Sequence, residues 1–230
     1  MLNCKNEITG YPLKNAYILA ASGKHEVTYN HLYWSNSYIV FHKERKRILK
    51  DAGRHGIRMN IFFLHRNPRI AARYHCDKHV IKMIIESAQM LYCAHWMMNP
   101  EKVPANAYKF THKNHPCTIW VRESYENYMW LCALGWWLCK EYQHRYGAHK
   151  IHKTEAHIEW LLSNPPDLPR IGMTPNPMAM PDEYKKPDPL DAYRLFYRES
   201  KLGDRGIVAY TGRDWPWFLK TNSVESIEDV

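Results

Sequence analysis

The chain has 230 residues, of which 45% are apolar, 24% charged and 13% aromatic. These proportions are typical of a globular domain, and they exclude a wholly disordered chain, a collagen-like chain and a coiled-coil rod. Lysine and arginine outnumber aspartate and glutamate by 32 to 23, a formal net charge of +9. Such a charge indicates an anionic partner, most commonly nucleic acid.

The basic excess is concentrated at the N-terminus. Residues 1–58 contain 10 basic and 4 acidic side chains, whereas the remaining residues contain 22 and 19. Aromatic and β-branched residues at 28–41 favour a strand pair or hairpin, and the basic stretch at 42–58 favours a helix. We therefore predict a basic N-terminal extension over residues 1–58 with a small β/α segment. It is either a functional arm or an upstream extension without its own fold, since Met59 would also serve as a start codon.

A mainly α-helical domain is predicted over residues 59–220, followed by a polar tail at 221–230. The apolar run at 59–64 predicts a short β-strand at the start of the domain. Periodic apolar positions predict two long helices, each opened by a proline, and two shorter ones. The predicted helices cover residues 69–98, 116–147, 151–162 and 190–201. Eight of the 14 prolines lie at 165–189, which predicts a long non-helical loop.

The most hydrophobic stretch is the 12-residue run at 128–139. It is shorter than the roughly 20 residues that span a bilayer, so it predicts a buried core helix and no membrane partner. The six cysteines show no C-x-x-C pair, and four of them lie in apolar helical patterns, as free buried thiols do. We expect a soluble protein of a reducing, cytoplasmic compartment.

The first long helix carries a polar stripe. At 100° per residue, six of its polar side chains fall within about 80° of one another. The stripe consists of His75, His79, Lys82, Glu86, Gln89 and Cys93. One interpretation is a solvated helix face with a Lys82–Glu86 ion pair. The other is one wall of a functional site, which the histidine, glutamine and cysteine content favours.

The second long helix has its polar residues at its beginning. It is apolar on nearly every face from 128 to 139, whereas Arg122, Glu123 and Asn127 lie in its first turns. A helix N-terminus favours anions through its unpaired N–H groups and its dipole. We therefore predict a phosphate or carboxylate site between the stripe and residues 112–127. The alternative is a satisfied polar network that fixes helix packing.

These residues suit acid–base chemistry on an anionic substrate. His75 or His79 would act as the general base, and Glu123 would orient an imidazole. Lys82 and Arg122 would hold the anion. The loop at 180–185 would fold over the site as a lid or form an ordinary surface turn. The catalytic candidates are His75, His79, Lys82, Glu86, His115 and Glu123, and the substrate-binding candidates are Arg122, Asn127, Asp182, Tyr184 and Lys185.

A divalent metal is a further hypothesis for this region. His75 and His79 have the i, i+4 spacing that lets two imidazoles share one ion, and Glu86 or His115 would complete the ligand set. The H-E-x-x-H pattern is not met, because Cys76 occupies the position of its glutamate. The sequence has no Walker A loop, no G-x-G-x-x-G and no G-x-S-x-G, so no particular cofactor is indicated.

Three strings carry a resemblance to known sequences. They are YHCDKHVIKMIIESAQML at 74–91, HPCTIWVRESYENYMWL at 115–131 and AMPDEYK at 179–185. Together they resemble a family of small, functionally uncharacterised proteins of tailed bacteriophages and other viruses of aquatic microbes. The resemblance covers residues 59–218 and not 1–58. It implies a viral protein that works in the cytoplasm of a host cell, and it implies no particular activity.

The leading hypothesis is an enzyme that acts on a phosphate-bearing substrate, a nucleotide or DNA, because phage genomes commonly carry enzymes that modify these molecules. The alternative is a non-catalytic nucleic-acid-binding protein that uses the basic extension and exposed aromatic residues such as Trp215 and Trp217. A structural or host-interaction protein is a third hypothesis, for which the stripe would be solvent-exposed and unpaired.

Overall fold

The computed structural model describes residues 59–202 and 209–220. The basic extension predicted at 1–58 and the polar tail predicted at 221–230 lie outside the described residues, as does the segment 203–208. The described chain is mainly α-helical, as predicted, and contains no β-strand. Its α-helices are α1 (Pro68–Tyr74), α2 (Asp77–Met98), α3 (Pro116–Val121), α4 (Tyr125–Tyr146), α5 (Glu155–Ser163), α6 (Pro189–Phe196) and α7 (Trp217–Lys220).

Residues 59–64 form a buried irregular segment, and the β-strand predicted here is not formed. Side chains, rather than a neighbouring strand, hold its backbone. The Asn60 N–H donates to Glu86 Oε2 at 3.3 Å, and the Leu64 carbonyl accepts from Arg194 Nε at 3.1 Å. A short apolar run does not by itself distinguish a strand from other core segments. This one lines the core between the helices.

The first predicted long helix is divided at residues 75–76, between α1 and α2, where the backbone is extended. Arg145 Nη1 donates to the His75 carbonyl at 2.8 Å, and Nη2 donates to the Arg73 carbonyl at 3.0 Å. The last carbonyls of a helix lack helical partners and need others. The guanidinium supplies them, and the chain is therefore able to turn between the two helices.

The second predicted long helix is divided at residues 122–124, between α3 and α4. Ser124 is the N-cap of α4, since its Oγ accepts the N–H of Asn127 at 3.1 Å. The two shorter helices also differ from their predicted bounds. α5 begins at Glu155, and α6 ends at Phe196, where one π-helical segment, Tyr197–Leu202, continues the chain.

α4 is the central helix, and it packs against α1, α2, α3 and α5. The apolar run at 128–139 lies within it, which confirms the predicted core helix. Gly135 faces Ile158 of α5 so closely that a Cβ would lie 2.8 Å from Ile158 Cδ1. None of the helices in the described ranges is long and apolar enough to cross a membrane.

The proline-rich loop between α5 and α6 is non-helical apart from a 3₁₀ turn at Asp182–Tyr184. It packs along the start of α4 and the 59–64 segment. The Tyr125 N–H donates to the Pro169 carbonyl at 2.9 Å, and Asn60 Nδ2 donates to the Ala179 carbonyl at 3.0 Å. The loop is therefore part of the folded unit, and it brings residues 172–179 next to the predicted site.

Candidate functional site

His75 lies at the break between α1 and α2 and is fully buried. Its Nδ1 lies 2.7 Å from the Ala71 carbonyl, and Nε2 makes no hydrogen bond with the described residues. Burial lowers the pKa of His75 to about 4, so the ring is neutral at physiological pH. The break also means that a single helical rotation does not relate His75 to His79, as the stripe assumed. His75 is a core residue beneath the surface.

His79 lies in the first turn of α2 and is half-buried. Its ring stacks on Phe62 with centroids 4.8 Å apart, and its Nδ1 lies 2.8 Å from the Tyr197 hydroxyl oxygen. The Tyr197 hydroxyl also accepts the Cys76 N–H at 2.8 Å, which favours donation of its own proton to His79. This hydrogen bond and the stacking fix the orientation of the imidazole.

Lys82 and Glu86 follow His79 along α2. Lys82 Nζ lies 2.9 Å from Glu86 Oε1, with 57% of the lysine side chain and 10% of the glutamate side chain exposed. Glu86 Oε2 accepts the Asn60 N–H, which ties the carboxylate to the 59–64 segment. The polar stripe therefore runs from an exposed lysine to a buried carboxylate. It is neither an evenly solvated face nor an unpaired one.

Asn60 contacts all three of the sequence strings at 74–91, 115–131 and 179–185. Its N–H reaches Glu86 of the first string, and its Oδ1 lies 3.9 Å from the Cys117 Sγ of the second. Its Nδ2 donates to the carbonyl of Ala179 in the third. Asn60 Oδ1 also accepts from the Tyr193 hydroxyl at 2.9 Å. The sequence analysis missed Asn60 because it lies within an apolar run.

Glu123 and Asn127 meet at Thr174 of the proline-rich loop. The Thr174 hydroxyl donates to Glu123 Oε2 at 2.9 Å and accepts from Asn127 Nδ2 at 2.7 Å. The Thr174 N–H donates to Asn127 Oδ1 at 2.9 Å. These two predicted site residues therefore hold the proline-rich loop. Thr174 was not predicted, since one threonine among prolines carries no distinctive signal.

His115 and Arg122 hold the two ends of α3. His115 Nδ1 accepts the Cys117 N–H at 3.2 Å as the N-cap, and burial lowers the pKa of His115 to about 4. Arg122 Nη1 donates to the Lys113 carbonyl at 2.7 Å and to the Thr118 carbonyl at 3.3 Å. Both of these hydrogen bonds go from one nitrogen of the Arg122 guanidinium, which was predicted to hold an anion, to backbone carbonyls.

The start of α4 is also occupied by protein groups. The N–H groups of Tyr125 and Asn127 donate to the Pro169 carbonyl and to Ser124 Oγ. The Glu126 carboxylate accepts the N–H of Gly172 at 3.0 Å. A phosphate at this helix N-terminus would have to displace these partners, which favours the alternative of a polar network that fixes helix packing.

The predicted lid residues form a surface turn. Asp182 and Lys185 pair with each other, and the Tyr184 ring lies 5.2 Å from that of Phe196. This arrangement supports the surface-turn interpretation over the lid.

Residues 59–202 and 209–220 contain no cluster of side chains that matches the predicted metal site. No group of three or more histidine, cysteine, aspartate or glutamate side chains in these ranges is placed to hold a metal ion. His75 and His79 approach the same Phe62 and Tyr197 rings, but His75 Nδ1 faces the Ala71 carbonyl. The described cysteines, Cys76, Cys93, Cys117, Cys132 and Cys139, are all free and buried.

No protein-family model matches the sequence, and no curated protein or solved structure shows a detectable similarity to it. The function therefore has to be inferred from the geometry of the molecule itself.

Proposed function

We propose that the chain is an enzyme that acts on a phosphate-bearing substrate, a nucleotide or DNA, at the α2 site, which consists of His79, Lys82 and Glu86. One observation carries this proposal. A half-buried imidazole with a fixed orientation lies one turn before an exposed lysine, and the lysine is paired with an almost buried carboxylate. The three side chains lie on one side of a single rigid helix.

The chemistry of each group suits this function. General acid–base catalysis needs an oriented imidazole, and the Tyr197 hydroxyl and the Phe62 ring orient that of His79. An exposed ammonium attracts phosphate as a point charge. Glu86, which Asn60 holds by a backbone hydrogen bond, limits how far the Lys82 ammonium moves.

The other predicted residues have supporting positions in this proposal. His75 packs below His79 against the same rings, at centroid distances of 6.0 Å from Phe62 and 6.1 Å from Tyr197. Glu123 and Asn127 hold the loop through Thr174. The viral setting and the host cytoplasm, which the three strings imply, belong to the same proposal and favour nucleotides or DNA as substrates.

The test uses the full chain with deoxynucleoside 5′-monophosphates, inorganic phosphate and a single-stranded DNA oligonucleotide as probes. Calorimetry measures binding, and mass spectrometry detects any product. We expect His79→Gln to abolish product formation. Lys82→Ala should lower the binding affinity for the phosphate-bearing probes by about tenfold or more. Lys150→Ala, which removes an exposed lysine outside the α2 site, is the matched control.

Two results would contradict the proposal. In the first, none of the probes binds or is converted. In the second, the oligonucleotide binds with a steep salt dependence that neither His79→Gln nor Lys82→Ala changes, and no product forms. The second result would favour the non-catalytic nucleic-acid-binding alternative.

A further inference from the structure

A groove of about 380 Å³ opens between the segment after the buried 59–64 run and the proline-rich loop. This volume falls within the range of roughly 300–1,000 Å³ that is usual for small-molecule sites. Its apolar lining comes from Phe63, Met173 and Pro175, among others, and Asn176 lines it as well. None of the three α2-site residues lines the groove, so it is a separate feature of the molecule.

Asn176 is the unusual residue of this groove. It is only 6% exposed, and neither its amide nitrogen nor its amide oxygen makes a hydrogen bond with the described residues. The other buried asparagines behave differently: Asn60, Asn99 and Asn127 all use both side-chain atoms in hydrogen bonds. A buried polar group without a partner is costly and calls for an explanation.

The chain around Asn176 is held firmly. The backbone and hydroxyl of Thr174 bond to Asn127, Glu123 and Trp120, the last through Trp120 Nε1 at 3.1 Å from the Thr174 carbonyl. Prolines precede and follow Asn176 and restrict its backbone further. The Pro177 carbonyl accepts from the Tyr193 hydroxyl at 2.7 Å. Asn176 is therefore carried by a rigid backbone segment, but both polar atoms of its amide are closed off from solvent, so binding of a ligand in the groove requires the Asn176 side chain to rotate toward it.

A cationic group lies at the edge of the same groove. Arg66 Nη2 donates to Asp188 Oδ2 at 2.8 Å, with 71% and 37% of the two side chains exposed. Exposed ion pairs of this kind contribute little to stability and exchange partners readily. Arg66 is therefore able to turn toward a phosphate, which its guanidinium binds in a bidentate manner.

We propose that this groove binds a nucleobase. A carboxamide offers a donor and an acceptor side by side, the pattern that pairs with the N6 and N7 edge of adenine. The apolar walls would flank the plane of the base, and Arg66 would contact the phosphate of a nucleotide. The base would come either from a free nucleotide or from a single-stranded nucleic acid. The proposal is independent of the α2 site.

The experiment measures calorimetric affinities of the full chain for adenosine, AMP and ribose 5-phosphate, together with thermal unfolding. We expect adenosine and AMP to bind. The affinity for ribose 5-phosphate should be lower than that for AMP by about tenfold or more. Asn176→Leu should lower the affinities for adenosine and AMP by about tenfold or more. It should also raise the unfolding temperature of the ligand-free protein, because it removes an unpaired buried amide. Asn176→Ala is the second variant if the leucine side chain does not fit.

Arg66→Ala separates the two parts of the ligand. It should lower the affinity for AMP and leave the affinity for adenosine unchanged. Arg170→Ala is the control, at an exposed arginine that stacks on Tyr125 at 3.8 Å, and it should change neither affinity. An adenine oligonucleotide that competes with AMP and loses affinity in Asn176→Leu would identify the strand as the source of the base. Competition by free nucleotides alone would identify the nucleotide.

Three results would overturn the proposal. One is that no nucleoside binds. Another is that ribose 5-phosphate binds as tightly as AMP. The third is that Asn176→Leu and Asn176→Ala both lower the unfolding temperature and leave adenosine binding unchanged, since Asn176 would then be a structural residue satisfied by buried water. All three are independent of the α2-site variants, so the two proposals are able to fail separately.

Discussion

Two buried polar side chains, Arg145 and Asn176, are treated in opposite ways by the same fold. The Arg145 side chain is completely buried, and its five N–H donors make five hydrogen bonds, to the carbonyls of Arg73 and His75 and to the carboxylates of Asp77 and Glu141. The Asn176 amide is buried as well and makes none.

The difference separates architecture from candidate function. Arg145 fixes the angle between α1 and α2, and Arg213 joins the same cluster by donating to Glu141 at 2.7 Å. Every hydrogen-bond acceptor of Arg145 is a group of the protein itself. Asn176 lies on a fixed backbone as well, but its amide has no hydrogen-bond partner among the described residues. The predictions that follow test this separation.

The largest effect is expected at Arg145. Arg145→Met removes the buried cation that Asp77 and Glu141 share, leaving Arg213 on Glu141, and it leaves the Arg73 and His75 carbonyls without its donors, so we expect a loss of about 3–5 kcal/mol in the free energy of unfolding. Urea unfolding followed by circular dichroism measures it. Arg198→Met is the matched control, because Arg198 pairs with Glu199 at a site where both side chains are more than one third exposed. A loss no larger than the control's value of about 0–1 kcal/mol would show that the cluster does not hold the fold.

The Arg145 cluster also shows which features of the fold local sequence patterns do not predict. The central helix α4 was predicted because a 12-residue apolar run needs only local information. The break at residues 75–76 was not, because Arg145 creates it from 70 positions away in the chain. The apolar and polar periodicity continues through the break, so the 69–98 pattern resembles one helix. Contacts between distant residues, rather than local preferences, decide such boundaries.

The candidate site divides in the same way. His79, Lys82 and Glu86 share one helix, and their proximity follows from helical spacing alone. Asn60, Tyr197 and Thr174 reach the predicted residues only through the tertiary fold, and each lies in an apolar, terminal or proline-rich context that hides it. That the α2 stripe and the start of α4 form one site stays a prediction, since the described hydrogen bonds tie each of them to other parts of the protein. Each has its own partners.

A buried histidine gives the next largest effect, and it tests whether an unpaired atom always indicates a ligand. Burial lowers the pKa of His75 from 6.5 to about 4. The unfolded chain then binds more protons than the folded one between these values, so His75 should destabilise the protein as the pH falls from about 6.5 to about 4. Above this window the contribution of His75 is constant.

His75→Gln removes this titration and retains a donor for the Ala71 carbonyl. Unfolding free energies measured between pH 4 and 7 should therefore fall less steeply in the variant, by up to about 1.4 kcal/mol per pH unit. His144→Gln, at an exposed histidine, is the matched control for the substitution itself. An unchanged slope in His75→Gln would mean that the ring is solvated in the folded state, contrary to its burial.

Thr174 tests whether the loop that carries Asn176 is as firmly held as the Arg145 cluster. Thr174→Val keeps the shape and removes the hydroxyl between Glu123 and Asn127, so we expect a loss of about 1–2 kcal/mol in the free energy of unfolding. Thr174→Ser retains the hydroxyl and should cost less. Urea unfolding compares the two variants with the wild type. Equal losses in Thr174→Val and Thr174→Ser would contradict the prediction. They would mean that the hydroxyl hydrogen bonds do not stabilise the fold measurably and that packing of the threonine side chain does.

The smallest effect on stability is expected at the ion pair of the α2 site. Lys82 and Glu86 are an i, i+4 pair on a helix with the lysine 57% exposed, so Lys82→Met should lower the free energy of unfolding by only about 0.2–0.5 kcal/mol. Urea unfolding at low and high salt measures the change. If Lys82 stabilises the fold this little and still controls the binding of phosphate-bearing probes, its role is ligand binding, as proposed for Asn176, and not stabilisation of the fold, as for Arg145. A loss above about 2 kcal/mol would place Lys82 among the residues that build the fold, and weaker binding in Lys82→Ala would then reflect an altered structure rather than a lost phosphate contact.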